Sequence, residues 1–208
     1  MLSLYLVRHG ETEWNIEKRM QGWQDSALTE KGIEEAEALH DYLINTTFDA
    51  IYSSPSPRAY NTGRIVRGDR KIEIIKEENL REINLGDWEG KTSLEVETLN
   101  PKEYNHFWKA PHKYKNHSGE SFLELQNRGI KAINSIIEEE KQGNVLILTH
   151  AVTLKAIMGY FEGRPLEEIW EPPYIHNTSV SLIEIENGES NIVLYGDISH
   201  LAKAQEAY

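Results

Sequence analysis

Two short runs in this chain, Leu4-Tyr5-Leu6-Val7 and Val145-Leu146-Ile147-Leu148, are apolar at every position. A strand with one wet face alternates. A run with no alternation has both faces covered, and that is the pattern of a parallel sheet packed between helices. Further strands are expected at Phe48 to Tyr52, Ile72 to Ile75, Val180 to Ile185 and Ile192 to Tyr195. The last two are separated by Glu186-Asn187-Gly188-Glu189, whose Asn-Gly pair predicts a hairpin.

Helical patterns fall between these runs. Thr29 is a candidate N-cap for a helix whose apolar positions are Ile33, Ala36, Leu39, Leu43 and Ile44. Ser53-Ser54-Pro55-Ser56-Pro57 ends the second strand and opens another helix, with proline in its first turn. A long helix is expected from Ser121 to Lys141, stopped by Gln142-Gly143-Asn144, and another from Ala151 to Tyr160. The stretch from Glu82 to about His117 is less regular and reads as loops with a short helix. Strand and helix thus alternate, predicting an α/β fold: a three-layer sandwich with a mainly parallel sheet of about six strands flanked by helices. Residues 1–208 read as one domain with a small irregular cap at about 90–119.

The formal net charge of −12 argues against nucleic acid, which is bound through basic surfaces. An anionic ligand would need a local basic pocket. With no cysteine there is neither a disulfide nor a thiolate metal site. No stretch approaches the roughly 20 apolar residues of a membrane helix, and the N-terminal run lacks a signal-peptide pattern, so a cytoplasmic protein is expected.

The residues after each expected strand carry the chemistry. Arg8-His9-Gly10 follows the first, Ser53-Ser54-Pro55 and Arg58 the second, Arg81-Glu82 the third, and Thr149-His150 follows the Val145 run. Parallel strands would bring these groups to one sheet edge, where such sheets bind ligands. Two histidines, arginines and a carboxylate would converge there as an anion pocket with a nucleophile and an acid.

At these residues the chain resembles the histidine phosphatase superfamily, also called phosphoglycerate mutase-like. Five blocks match in order: Arg8-His9-Gly10-Glu11-Thr12; Asn15 with Gln21 to Gly32; Ser53 to Ala59 with Thr62; Arg81-Glu82 with Gly86 to Gly90; and Thr149-His150. Two positions depart from the family pattern: Ala151 stands where glycine is usual, and Ser56 where leucine is frequent. The resemblance implies a metal-independent phosphatase that needs no cofactor. His9 would attack phosphorus and become phosphohistidine. Arg8, Arg58 and His150 would clamp the phosphoryl oxygens, with Asn15 as a neutral donor. Glu82 would protonate the leaving alkoxide and then activate water. Gln21, Gly22 and Ala151 complete the expected substrate contacts; Gln21 reads equally well as an ordinary loop residue.

Glu11 and Asp87 read as supporting polar residues, and His40 as a helix-surface residue. His106, His112 and His117 lack a compact metal-binding spacing and suit a solvated or lid role. Trp14, Trp23, Trp88 and Trp108 divide between core and pocket wall. The resemblance extends to 2,3-bisphosphoglycerate-dependent phosphoglycerate mutases, which share these phosphate-binding residues. That branch uses a paired-arginine segment after the acid, whereas Thr92 to Gly119 holds no arginine here. Hydrolysis of a small phosphorylated metabolite is therefore the expected activity, with mutase the alternative and a non-catalytic phospholigand-binding protein a third reading. Monomer and homodimer stay open.

Overall fold

All strands of the central sheet but one run in the same direction. The computed structural model describes residues 1–206. Its six strands are β1 (Leu2–Arg8), β2 (Ala50–Ser53), β3 (Ile74–Lys76), β4 (Gly143–Thr149), β5 (Val180–Glu186) and β6 (Glu189–Asp197). They lie in the order β3-β2-β4-β1-β5-β6. The first four are parallel, while β5 and β6 are antiparallel to their neighbours. Asn187 and Gly188 both take positive φ, as the expected tight hairpin requires.

The register explains the unbroken apolar runs. Val145 and Ile147 of β4 pack into one core with Leu2, Leu4 and Leu6 of β1, while Leu146 and Leu148 enter the core on the opposite face with Ile51 and Val7. Two helices, α6 (Phe122–Glu140) and α7 (Ala151–Glu162), cover the first face through Ile133, Ile136, Leu154 and Ile157. The helices α2 (Glu30–Tyr42) and α3 (Pro57–Arg67) cover the second through Ala36, Leu39, Ala59 and Val66. Truncating one of these central side chains to alanine costs about 2–5 kcal/mol.

Local chemistry sets the helix starts. Thr29 caps α2 by accepting from Gly32 N at 2.9 Å, and Ser121 forms a reciprocal capping box with Glu124 at the head of α6. Several sequence expectations need correction. Ile33 and Ile44 are exposed; Ile44 lies beyond the end of α2, and the buried stripe is Gly32, Ala36 and Leu39, followed by Leu43. His40 is half-buried rather than on the surface, and its Nδ1 lies 2.9 Å from the Val66 carbonyl oxygen, which ties α2 to α3. The long helix ends on Lys141 with φ 53, and β4 starts at Gly143 instead of after a loop.

The irregular segment is more ordered than its composition suggests. It forms α4 (Ser93–Leu99) and α5 (Pro101–Lys109). A Thr92–Glu95 capping box starts the first, and Pro101 occupies the first turn of the second. Their inward residues join Trp88, Tyr114, Phe122 and Ile169 in a third, largely aromatic cluster. A four-residue helix, α1 (Glu13–Ile16), and a final helix, α8 (Ser199–Glu206), were not apparent from periodicity.

Candidate active site

Parallel pairing aligns the ends of three strands: Arg8 lies opposite Thr149, and Ser53 opposite Leu148. Beyond them opens a cavity of about 810 Å³. Arg8, His9, Asn15, Gln21, Gly22, Arg58, Glu82 and Ala151 all reach its wall.

His9 follows β1 and is 3 % exposed. The next two residues are fixed by close backbone approach to α2. A Cβ on Gly10 would lie 2.4 Å from the Gly32 carbonyl oxygen, and one on Gly32 would lie 2.1 Å from the Glu11 oxygen. Both glycines are sterically required. The His9 Nδ1 lies 2.8 Å from the Gly10 carbonyl oxygen. A carbonyl only accepts, so Nδ1 carries the proton and Nε2 keeps the lone pair. Burial, then the neighbouring Arg58 and Arg8 guanidiniums, hold the His9 pKa well below the ordinary imidazole value. The ring is held neutral with a free lone pair on Nε2.

Arg58, near the start of α3, is buried and wrapped by the 22–25 loop. Its Nη1 donates to Gln24 O at 2.7 Å and to Asp25 Oδ1 at 2.9 Å, and its Nη2 to Gly22 O at 2.8 Å. Arg8 is anchored by Nη1 to Ile175 O at 2.8 Å. The Nε atoms of both arginines are buried without a hydrogen-bond partner. His150, the N-cap of α7, sits just behind the wall, fully buried, with its ring centroid 5.3 Å from that of His9. Its Nε2 pairs with Ser54 Oγ at 2.8 Å, and its Nδ1 is also buried and unpartnered. Burial and then Arg58 push its pKa far down. Three buried nitrogens, on β1, on α3 and at the β4–α7 junction, thus have unfilled hydrogen-bonding capacity.

Glu82 faces the same cavity across from the helix N-terminus. Its Oε1 accepts from Ile83 N, Thr153 N and Thr153 Oγ1, and its Oε2 from Val152 N, at 2.9–3.1 Å. Arg81 pairs with Glu78 at 2.7 Å and stacks on Trp23, so it does not neutralise Glu82. Asn15 uses Oδ1 to accept from Thr12 N and Asn177 Nδ2, leaving its amide nitrogen available. Gln21 Nε2 donates to Thr12 Oγ1 at 2.8 Å. Glu11 takes Thr29 and Lys31 as partners, outside the cavity.

Sequence reasoning missed the residues that hold this set. Arg128 on α6 donates from Nη2 to Glu82 O and from Nη1 to Asn79 O and Arg81 O, fixing the turn that carries Glu82. Helical periodicity gives it no mark distinguishing it from a surface arginine. Asn177 donates to His9 O at 3.1 Å from the segment before β5. Lys155 lies one turn into α7 on its inner side. It is 4 % exposed, donates to Pro173 O and Glu171 O, and lines the cavity. Burial lowers its pKa to about 8.

Away from the histidines the wall is aromatic: Tyr104, Phe107, Trp108, Trp170 and Tyr174. Trp88 is core, whereas Trp108 is 38 % exposed on this wall. His106 bonds Glu103 at 3.3 Å on α5. Among the described residues no three His, Asp or Glu side chains converge as a metal cage, and no helix is long and apolar enough to cross a membrane.

Comparison with known proteins adds an independent line. The family model for the histidine phosphatase superfamily (branch 1) matches residues 4–198. Phosphoserine phosphatase 1 of Hydrogenobacter thermophilus is 32 % identical over 203 residues, covering 98 % of this chain and 96 % of its own. Among solved structures, Bacillus stearothermophilus YhfR superposes with a TM-score of 0.95 at 49 % identity, over 97 % of this chain and 100 % of that one. A phosphoserine phosphatase mutant from Entamoeba histolytica, in complex with phosphoserine, gives a TM-score of 0.85 at 25 % identity, over 97 % and 100 % of the two chains.

Proposed function

The chain belongs to the histidine phosphatase superfamily (branch 1) and is a phosphomonoester hydrolase; we propose that its reaction runs through a phosphohistidine on His9, with Glu82 moving the protons. The observation that carries this reading is the buried, neutral His9 ring, its Nε2 lone pair free, beside the Arg8 and Arg58 guanidiniums on one cavity wall.

In the first step the Nε2 lone pair attacks phosphorus, the bond to the ester oxygen breaks, and Glu82 protonates the leaving alkoxide. Charge on the non-bridging oxygens is met by Arg8 and Arg58, whose positions are fixed before substrate arrives, with His150 packed beside His9. In the second step Glu82 takes a proton from water, the resulting hydroxide attacks the phosphohistidine, and phosphate leaves neutral His9 behind. Five cations line the cavity (Arg8, Arg19, Arg58, Lys109, Lys155) against two carboxylates, Glu82 and Glu97. This local field draws an anionic ester despite the net charge of −12.

Hydrolysis is favoured over mutase turnover because the segment from Thr92 to Gly119 presents aromatic groups and Lys109 to the cavity, and no arginine. The substrate is a small phosphorylated metabolite, and the protein works in the cytoplasm. A panel of phosphomonoesters should be turned over in the presence of EDTA, inhibited by vanadate, and left untouched by His9→Ala. Efficient 2,3-bisphosphoglycerate-dependent mutase activity with negligible hydrolysis would overturn this choice.

A further inference from the structure

We infer that His200, on the last helix, is a positioning residue for His9, acting through Thr178 and Asn177; this rests on the reaction proposed above. The match to the family model ends at residue 198, so α8 and His200 lie beyond it.

The chain enters β5 through an uncommon backbone. Thr178 has φ 54. Three other non-glycine residues share positive φ, Lys18, Lys141 and Asn187, but they are exposed, whereas Thr178 is fully buried and β-branched. A β-branched residue in the left-handed region persists only where its surroundings enforce it. Here the turn points the Thr178 N–H at the carbonyls of Arg8 (3.1 Å) and His9 (3.4 Å). The adjacent Asn177 Nδ2 donates to the same His9 carbonyl at 3.1 Å. Residues 177 and 178 therefore hold the backbone that carries both the nucleophile and one phosphate ligand.

His200 enforces this turn. The Thr178 hydroxyl donates its one proton to Asn177 O at 2.8 Å, so it can only accept from His200 Nε2, 3.0 Å away. A directed chain results, from His200 N–H to Thr178 O–H to the Asn177 carbonyl, whose members reinforce one another away from water. With Nε2 protonated, the buried Nδ1 is left only as an unused lone pair. His200 is 2 % exposed and packs on Tyr42 of α2, with ring centroids 5.9 Å apart. Burial lowers its pKa to about 4, which keeps the ring neutral and the direction of the chain fixed near neutral pH.

The test measures kcat, KM and melting temperature on p-nitrophenyl phosphate for His200→Leu, His200→Gln, Thr178→Val, the Leu/Val double variant and Ser199→Ala. Ser199→Ala loosens the start of α8, where Ser199 Oγ donates to Asp197 at 2.7 Å, without touching Thr178. A small misplacement of a reacting group costs up to about 100-fold, so His200→Leu and Thr178→Val should each lower kcat by about 10- to 100-fold with KM within about threefold. The double variant should be no worse than the poorer single one. His200→Gln, which keeps a donor, should recover most of kcat, and Ser199→Ala should retain it. Equal kcat losses in His200→Leu and Ser199→Ala, a loss confined to KM, additive losses, or no recovery in His200→Gln would each overturn the inference. Should a Leu or Val variant not fold, His200→Gln decides: kcat near wild type supports the role, and a loss above about tenfold overturns it. An inactive wild-type enzyme would instead refute the hydrolytic reading itself.

Discussion

The two ends of the cavity are built differently. At one end, His9, Arg58, Glu82 and His150 come from strand termini and helix starts, and every neighbour that holds them is buried or hydrogen-bonded. At the other, Tyr104, Trp108, Trp170 and Tyr174 come from α5 and the loop after α7, and Tyr174 is 69 % exposed. Chemistry needs positions fixed to a fraction of an ångström, which a packed sheet edge supplies. Selecting an organic group needs only a surface that fits, and that surface can change without disturbing the phosphate end.

Substitutions at the two ends should therefore separate in size and kind. The largest effect is expected from His9→Ala: a loss of kcat of at least about 1,000-fold on every ester, with the fold retained by circular dichroism. Arg58→Ala should lower kcat by about 100- to 1,000-fold, since its guanidinium is already held by three loop carbonyl and carboxylate partners and water cannot replace it there. Glu82→Gln should cost about 100-fold or more with alkyl esters and much less with aryl esters, whose alcohols leave without a proton; equal losses would remove its proton-donor role. Trp108→Ala should change kcat/KM by about tenfold or less, only for esters with bulky organic groups, leaving inhibition by inorganic phosphate unchanged. A uniform loss across all esters would erase the distinction between the two ends.

The smallest effect concerns stability. His9, His150 and His200 all have folded pKa values below the ordinary 6.5. The unfolded chain then binds more protons than the folded one below pH 6.5, so stability is full above that value and falls as pH drops toward and below about 4. Urea unfolding at stepped pH should show this slope, and His200→Gln should flatten the part due to His200.

The same division governs what the sequence reveals. β1 and β4 are legible because both faces are buried, and the residues after them inherit their placement from the parallel register. Helix starts were legible where a side chain caps them, as at Thr29 and Ser121. The stretch from Glu82 to about His117, expected as loops with a short helix, holds two helices, α4 and α5. These helices have seven and nine residues, too short for periodicity to stand out, although the Thr92–Glu95 box was present in the sequence. Arg128, Asn177 and His200 were not legible because each acts across long sequence separations, Asn177 on His9 across 168 positions. No local pattern encodes such a contact; only the fold does.

The proposed reaction turns on the free Nε2 of His9 taking the phosphoryl group. Rapid acid-free quenching during turnover, followed by peptide mapping and phosphorus NMR, tests it directly. The expected result is an acid-labile phosphoryl group on Nε2 of His9, formed and discharged at rates that match turnover. A label on Nδ1 or on another residue, or turnover with inverted configuration at phosphorus, would contradict it.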